Sequence, residues 1–400
     1  MLTIESLTHL GMGRVSDGQS LLPRVLPGEE VDVAQDGTVR IVTPSTDRVA
    51  APCRHFKSCG GCAMQHATDA FVADWKQDIV VKALAARGLS PEFRPIKTSP
   101  AQSRRRAKLS GRRTKKGAMV GFHARASGTL VQVPECQLLT PALIASFPAL
   151  EALTVLACSR KGEIDLTVTE AALGPDVLVG TDKDLTPPLR VELAALANQY
   201  GLSRLVWNEE PVVTINPPAQ DFGGVSAVPP PGAFLQATTH GETALRGAVA
   251  EITQGAARIA DLFAGCGTFA LPLAKRAEVH AVEGESAMLE ALDRGWREGR
   301  ELRRVTTETR DLFRRPLEAD ELRHFDAAVI DPPRAGAEAQ IATLAASDVK
   351  VIALVSCNPV TFARDAQTLV EAGFAMPWVQ VVDQFRWSPH TEVVAGFTRK

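Results

Sequence analysis

Residues 259–270 read I-A-D-L-F-A-G-C-G-T-F-A. The apolar run Ile259–Phe263 enters a glycine turn, and a helix opens near Phe269. Gly265 and Gly267 allow the tight backbone and close ligand approach that such a turn needs at a strand's carboxyl edge. A second apolar run, Val279–Glu283, ends in an acid 22 positions after Asp261. A carboxylate there can accept hydrogen bonds from both ribose hydroxyls of an adenosine. Further β-rich runs, Ala327–Ile330 and Val349–Val355, alternate with helical stretches, which implies a doubly wound parallel sheet with right-handed crossovers.

The spelling G-x-G-x-x-A (Gly265 to Ala270) also suits a dinucleotide in a dehydrogenase. The longer D-x-F-x-G-x-G favours S-adenosylmethionine, with Asp261 reaching towards the amino-acid part of the ligand and no room required for a pyrophosphate.

Two loops follow the later strands. Asp331-Pro332-Pro333-Arg334 comes after Ala327–Ile330, and the switch-point rule puts Asp331 at the sheet's carboxyl edge beside the glycine turn. The prolines stiffen the loop. Ser356-Cys357-Asn358-Pro359 follows Val349–Val355 and puts a thiol at the same edge. A thiolate can attack an electron-poor carbon, although a lone cysteine is more often a small buried apolar residue. His390 and Glu392 precede the apolar strand Val393–Phe397. Glu392 could accept a proton, but by position alone it is an ordinary surface acid.

Outside this half the chain is more mixed. Residues 1–48 carry short β-rich runs between Gly, Asp and Pro turns, in keeping with a small oligonucleotide-binding type of barrel. A helix is expected over Asp69–Arg87, ended by Gly88. The proline-rich stretch Pro217–Pro231 marks a boundary. The expected division is 1–48, 49–232 and 233–400.

Net charge is −2, so the total gives no hint of a polyanionic partner. Locally, the 20 residues Thr98–Gly117 hold eight cations (Arg104, Arg105, Arg106, Lys108, Arg112, Arg113, Lys115, Lys116) and no acid. Such a run is either a phosphate footprint or a solvated basic hairpin. No apolar run nears the roughly 20 residues of a membrane span, and no signal pattern opens the chain. The expectation is a cytoplasmic protein without a membrane partner, acting as a monomer.

Seven cysteines are present. In a reducing compartment, clustering points to metal or catalysis rather than disulfides. Cys53, Cys59 and Cys62 with the remote Cys136 lack the two close pairs of a zinc finger. They suit a four-iron cubane, while His55 and His66 keep zinc open and plain core cysteines remain an alternative.

Taken together, D-L-F-A-G-C-G-T-F, D-P-P-R-A-G, V-S-C-N-P-V-T-F-A-R-D and H-T-E-V-V resemble the signatures of the RNA uracil-5-methyltransferases. The gaps of 26 residues from Asp331 to Cys357 and 35 from Cys357 to Glu392 fit that family, and F-L-Q (Phe234–Gln236) resembles the opening of its catalytic domain. The resemblance implies three parts: a C-terminal Rossmann-like class I methyltransferase domain, a central α/β domain with an iron–sulfur site, and a small, shortened β-barrel-like RNA-binding unit at the N-terminus. It implies Cys357 as nucleophile and Glu392 as general base, with Asp331 near the target base. Cofactor contacts are implied for Gln236, Phe263, Thr268, Glu283, Asp311 and Asp331. Thr268 and Asp311 stand where Asn is commoner. C-R-H-F-K-S-C-G-G-C resembles the cluster motif of the 23S ribosomal RNA members. That implies a [4Fe-4S] cluster on Cys53, Cys59, Cys62 and Cys136 and a 23S ribosomal RNA substrate. Transfer RNA, with the same chemistry, is the alternative.

Overall fold

The computed structural model describes residues 1–159 and 162–399. Its largest sheet has eight strands: β1 (Glu92–Thr98), β2 (Arg258–Leu262), β3 (Glu278–Glu283), β4 (Val305–Thr309), β5 (Ala327–Ile330), β6 (Val351–Ser356), β7 (Trp378–Asp383) and β8 (Glu392–Thr398). Their spatial order is β4-β3-β2-β5-β6-β8-β7-β1. From β2 the chain winds outward through β3 to β4, then returns to place β5 on the other side of β2. That reversal is the switch point, where the loops after β2 and β5 diverge and leave a crevice. The central strands are buried on both faces, which explains why β5 reads as an unbroken apolar run. β8 is antiparallel to both β6 and β7, so its first residue, Glu392, lies at the carboxyl edge with the other loops.

β1 pairs in parallel with β7 through Trp378–Glu92, Val379–Phe93 and Gln380–Arg94. The helix Asp69–Ala85, capped by the Thr68 hydroxyl on the Phe71 amide, precedes it and packs on β7 and on the helix Pro359–Glu371. Residues 69–98 fall within the expected 49–232 unit, yet they extend the last sheet. The sequence gives no sign of this, because the partner strand lies nearly 300 positions downstream.

A seven-stranded sheet forms the middle of the molecule, in the order Glu210–Thr214, Arg204–Trp207, Asp176–Gly180, Ile164–Thr169, Arg106–Arg113, Ala118–His123, Leu130–Gln132. The helices Phe147–Ala157 and Pro187–Gln199 pack on it through Leu150, Leu153, Leu193 and Ala197, all buried.

The N-terminal unit is an open sheet rather than a barrel. Strands Leu21–Pro23, Met12–Val15, Leu2–Leu7, Glu30–Val33 and Val39–Thr43 lie in that order, and the outer two do not pair with each other. Glu30–Val33 turns straight back on Val39–Thr43 through Asp36-Gly37, so the chain between them is too short to close the sheet. A groove of about 640 Å³, lined among others by Arg24, Ile41, Arg48, Phe56 and Lys57, lies where closure would be. Among the described residues, no helix is long and apolar enough to cross a membrane.

Candidate active site

The crevice at the switch point is a cavity of about 440 Å³. Its lining includes Gln236, Phe263, Thr268, Glu283, Asp331, Cys357 and Glu392. These come from six separate places in the chain: the loop before the domain's first helix, the turn after β2, the end of β3, the loops after β5 and β6, and the start of β8. Open parallel sheets gather side chains in this way, because every right-handed crossover leaves its loop at the same edge.

The glycine turn has the backbone the sequence requires. Gly265 and Gly267 have φ of +55° and +99°, and a Cβ on Gly267 would stand 2.7 Å from Leu271. Phe263 takes φ +61°, an uncommon conformation for a bulky residue and one concentrated at functional sites. Glu283 accepts hydrogen bonds from the amides of Gly265 (3.0 Å) and Gly284 (2.6 Å). Asp261 is fully buried, and neither carboxylate oxygen has a hydrogen-bond partner of normal geometry.

A chain of two amides joins two carboxylates across the floor. Gln384 Nε2 donates to Gln236 Oε1, and Gln236 Nε2 donates to Asp331 Oδ2 at 3.1 Å. Gln384 also lies close enough to Glu392 to favour its ionised form, and its Oε1 accepts the Ala237 amide at 2.7 Å. Both amides are therefore oriented by their partners, with N–H pointing at the acids.

Burial raises the acids, and the Asp331 charge adds to it at its neighbours. Burial, then the Asp331 charge, pushes Glu392 well above the usual carboxylate range. Burial pushes Asp331 up to about 7. Burial, then Asp331, pushes Asp261 well above its ordinary value. Cys357 is pushed up to about 11, by burial first and then by Glu392 and Asp331. A site that crowds acids in a low dielectric favours a cationic ligand. The sulfonium and ammonium of S-adenosylmethionine fit this donor set, in which Glu283 lines the cavity and Asp261 is buried outside its lining.

Asp311 does not line the cavity. Its carboxylate accepts the Phe313 amide at 3.0 Å and pairs with Arg314. Phe313 reaches the site instead, packing on Phe263 with ring centres 5.3 Å apart. Phe234 and Arg334, which sit inside F-L-Q and D-P-P-R without an assigned role, also line the cavity, as does Met288, which had no signal in the sequence. Nor did Gln384, which lies outside every motif.

The basic run divides. Arg105 is buried and pairs with Glu242, and its Nε donates to the Gln236 carbonyl at 3.2 Å. Arg106 donates to the Gly232 carbonyl. Arg104 bridges to Leu139 and Thr238 through its backbone. Lys108 and Arg112 pair with Asp165 and Glu163. Of the eight cations, Arg113, Lys115 and Lys116 at the hairpin tip are left facing solvent. The run's first three arginines join domains rather than forming an open phosphate footprint.

Cys53, Cys59, Cys62 and Cys136 line one small enclosed cavity with Phe56, Gln65, Phe122 and Leu138. All four are free thiols. Burial pushes Cys62 up to about 12 and raises Cys59 and Cys136. The Gly61 and Leu138 amides point at Cys59 Sγ and Cys136 Sγ, each at 3.4 Å. A Cβ on Gly60 would stand 2.7 Å from the His123 carbonyl, so only glycine lets the loop lie this close. Among the described residues, no group of three or more His, Cys, Asp or Glu side chains is gathered tightly enough to hold a metal ion.

Relatives decide the family. The family described as tRNA (Uracil-5-)-methyltransferase matches residues 297–400. An uncharacterised RNA methyltransferase of Rhizobium meliloti is 42% identical over 96% of this chain and 95% of its own length. A 23S rRNA (uracil(1939)-C(5))-methyltransferase, RlmD, of Halomonas elongata is 32% identical over 98% of this chain and 88% of its own. The chain belongs to the RNA uracil-5-methyltransferase family. It is an S-adenosylmethionine-dependent RNA methyltransferase. The fold agrees: the Pyrococcus abyssi tRNA (uracil-54, C5)-methyltransferase, solved with S-adenosyl-L-homocysteine, superposes with a TM-score of 0.74 across the whole of both chains at 21% identity.

Proposed function

We propose that this enzyme methylates C5 of a specific uridine in 23S ribosomal RNA through a covalent Cys357 adduct. One observation carries the reading: Cys357, Glu392 and Asp331 line a single cavity with the cofactor loop. C5 of uracil is a weak nucleophile in the neutral ring. Addition of the Cys357 thiolate at C6 makes the ring an enolate, so that C5 can attack. S-adenosylmethionine supplies the methyl group as an electrophilic sulfonium methyl. Glu392 then removes the C5 proton, the C5–C6 double bond re-forms, and the thiolate leaves with the electron pair of the S–C6 bond. Asp331 sits beside both partners and faces the uracil edge. Gln236, Phe263, Thr268 and Glu283 hold the cofactor, and Asp311 supports them from outside the cavity through the Phe313 turn.

The 23S substrate is favoured by the Halomonas relative, which matches nearly the full chain, and by the four cysteines. We read those four as the ligands of a [4Fe-4S] cluster. The donor set fits in kind: four thiols around one enclosed space, with amides directed at two of the sulfurs. A cubane binds each thiolate at a separate iron, so its ligands stand further apart than those of a single ion. The cluster would tie the Cys53–Cys62 loop to the central sheet at Cys136, a structural role.

Nuclease digestion and mass mapping of 23S and transfer RNA from cells lacking the gene tests the substrate. Loss of one 5-methyluridine from 23S RNA is expected. Loss from transfer RNA alone would retain the chemistry and move the substrate.

A further inference from the structure

Glu392 opens β8, paired with Val382, directly after a loop, Gln384–Thr391, that has no regular structure of its own. A general base at the mouth of such a segment needs the segment held as well as the strand, since acid–base geometry tolerates little error. The loop's packing partners come from the far end of the chain. Lys76, on the helix Asp69–Ala85, has no exposed surface. Its ammonium donates to Asp383 Oδ1 (2.5 Å), the Phe385 carbonyl (3.1 Å) and the His390 carbonyl (3.0 Å). All three ammonium donors are thus used, and they span the loop from the residue before Gln384 to the second residue before Glu392.

A second anchor lies beside the four cysteines. The amides of Ala63 and Met64, directly after Cys62, both donate to the Trp387 carbonyl, at 2.7 and 3.0 Å. Trp387 is buried and has φ +60°, a conformation that persists only where the surroundings impose it. Arg386 adds ties to Asp69 and to the Ser99 carbonyl. Burying a lysine is costly unless it is fully paired, so a lysine here calls for a reason that an apolar residue could not meet. Only a cation with three donors can gather one carboxylate and two carbonyls at once.

We propose that Lys76 is a positioning residue for Glu392: its ammonium closes the Asp383–His390 loop so that Glu392 enters the cavity with the buried Gln384 supporting it, while the turn after Cys62 fixes the loop's middle. The proposal rests on Glu392 being the base. Lys76 does not line the cavity.

The test uses Lys76→Met combined with Asp383→Asn, because Met alone would strand the Asp383 charge in the core. The double variant is expected to bind S-adenosylhomocysteine within about twofold of the parent while kcat per binding site falls roughly 100-fold. It should also accumulate the denaturant-stable protein–RNA adduct expected of Glu392→Gln. A kcat near the parent's overturns the proposal, as does a loss without adduct when Glu392→Gln does accumulate it. If Glu392→Gln shows no adduct, the base assignment itself fails, which is a different result. Hydrogen exchange on the unmodified enzyme gives a reading that needs no variant. The Ser388 and His390 amides should exchange as slowly as those of β8, and fast exchange there overturns the staple.

Discussion

Ser356 and Val393 are partners across the antiparallel pair β6 and β8, so the next residues outward, Cys357 and Glu392, leave the sheet side by side. The proposed nucleophile and base thus sit at adjacent strand ends, 35 residues apart in the chain. Register alone brings them together, and a slip of one residue in β8 would turn Glu392 to the opposite face.

That adjacency predicts distinct failures for the two residues. Cys357→Ala should abolish turnover and form no adduct. Glu392→Gln should lower turnover by roughly 10²–10⁴ and trap the adduct, since deprotonation precedes thiolate release. Denaturing gels with labelled RNA separate the two. An adduct in Cys357→Ala would remove this thiol from the mechanism.

Alkali should favour the reaction. Cys357 must lose a proton before it adds, and Glu392 must be ionised to accept one. Both are held above their ordinary values by burial and by neighbouring acids. Single-turnover rates should climb from about pH 6 to about pH 9. A profile that falls over this range would contradict the shared pocket of acids and thiol.

Stability should move the other way. Asp331 is raised from 3.8 to about 7 in the folded state. A raised carboxylate contributes stability that is complete below its unfolded value and is lost as pH rises through its folded one. The ligand-free protein should therefore melt lower at pH 8 than the Asp331→Asn variant's pH profile would predict, with the difference growing between about pH 4 and 7. Parallel melting profiles for the two proteins would show that Asp331 is not held in its neutral form.

Anaerobically purified enzyme should be brown with about four irons per chain, and Cys136→Ala should lose that colour. One zinc and no iron would replace the cluster with another site.

Lys115→Ala and Lys116→Ala should weaken RNA binding and reduce the salt dependence by about 0.7 per lost phosphate contact on single strands. Arg105→Met should instead cost stability, up to about 3 kcal/mol, because it leaves the buried Glu242 with Arg246 as its remaining ion-pair partner. Calorimetry on the three variants tests the division of the basic run. An Arg105 variant of normal stability and weakened RNA affinity would reverse it.

Much of the site was legible because its chemistry coincides with breaks in the backbone pattern. The glycines after β2, the prolines after β5 and the Asn-Pro after Cys357 are all costly inside regular structure, so each advertises a loop, and strand alternation puts those loops at one edge. Asp311 shows where that logic stops: a motif position can be occupied by an acid whose turn directs it elsewhere. Arg104, Arg105 and Arg106 show the same for charge, since a run of cations does not reveal which of them neighbouring strands will cover.

The order of residues by itself determined the doubly wound domain, its ligand edge and the set of groups that meet there, because local turn chemistry and the apolar period are properties of short segments. The tertiary structure alone decided that β1 would extend the catalytic sheet, that the N-terminal sheet would stay open, that Gln384 would link Gln236 to Glu392, and that Lys76 would close the loop below them. These depend on pairings between residues up to about 300 positions apart. Such contacts form only when the whole chain has collapsed, and no local propensity records them.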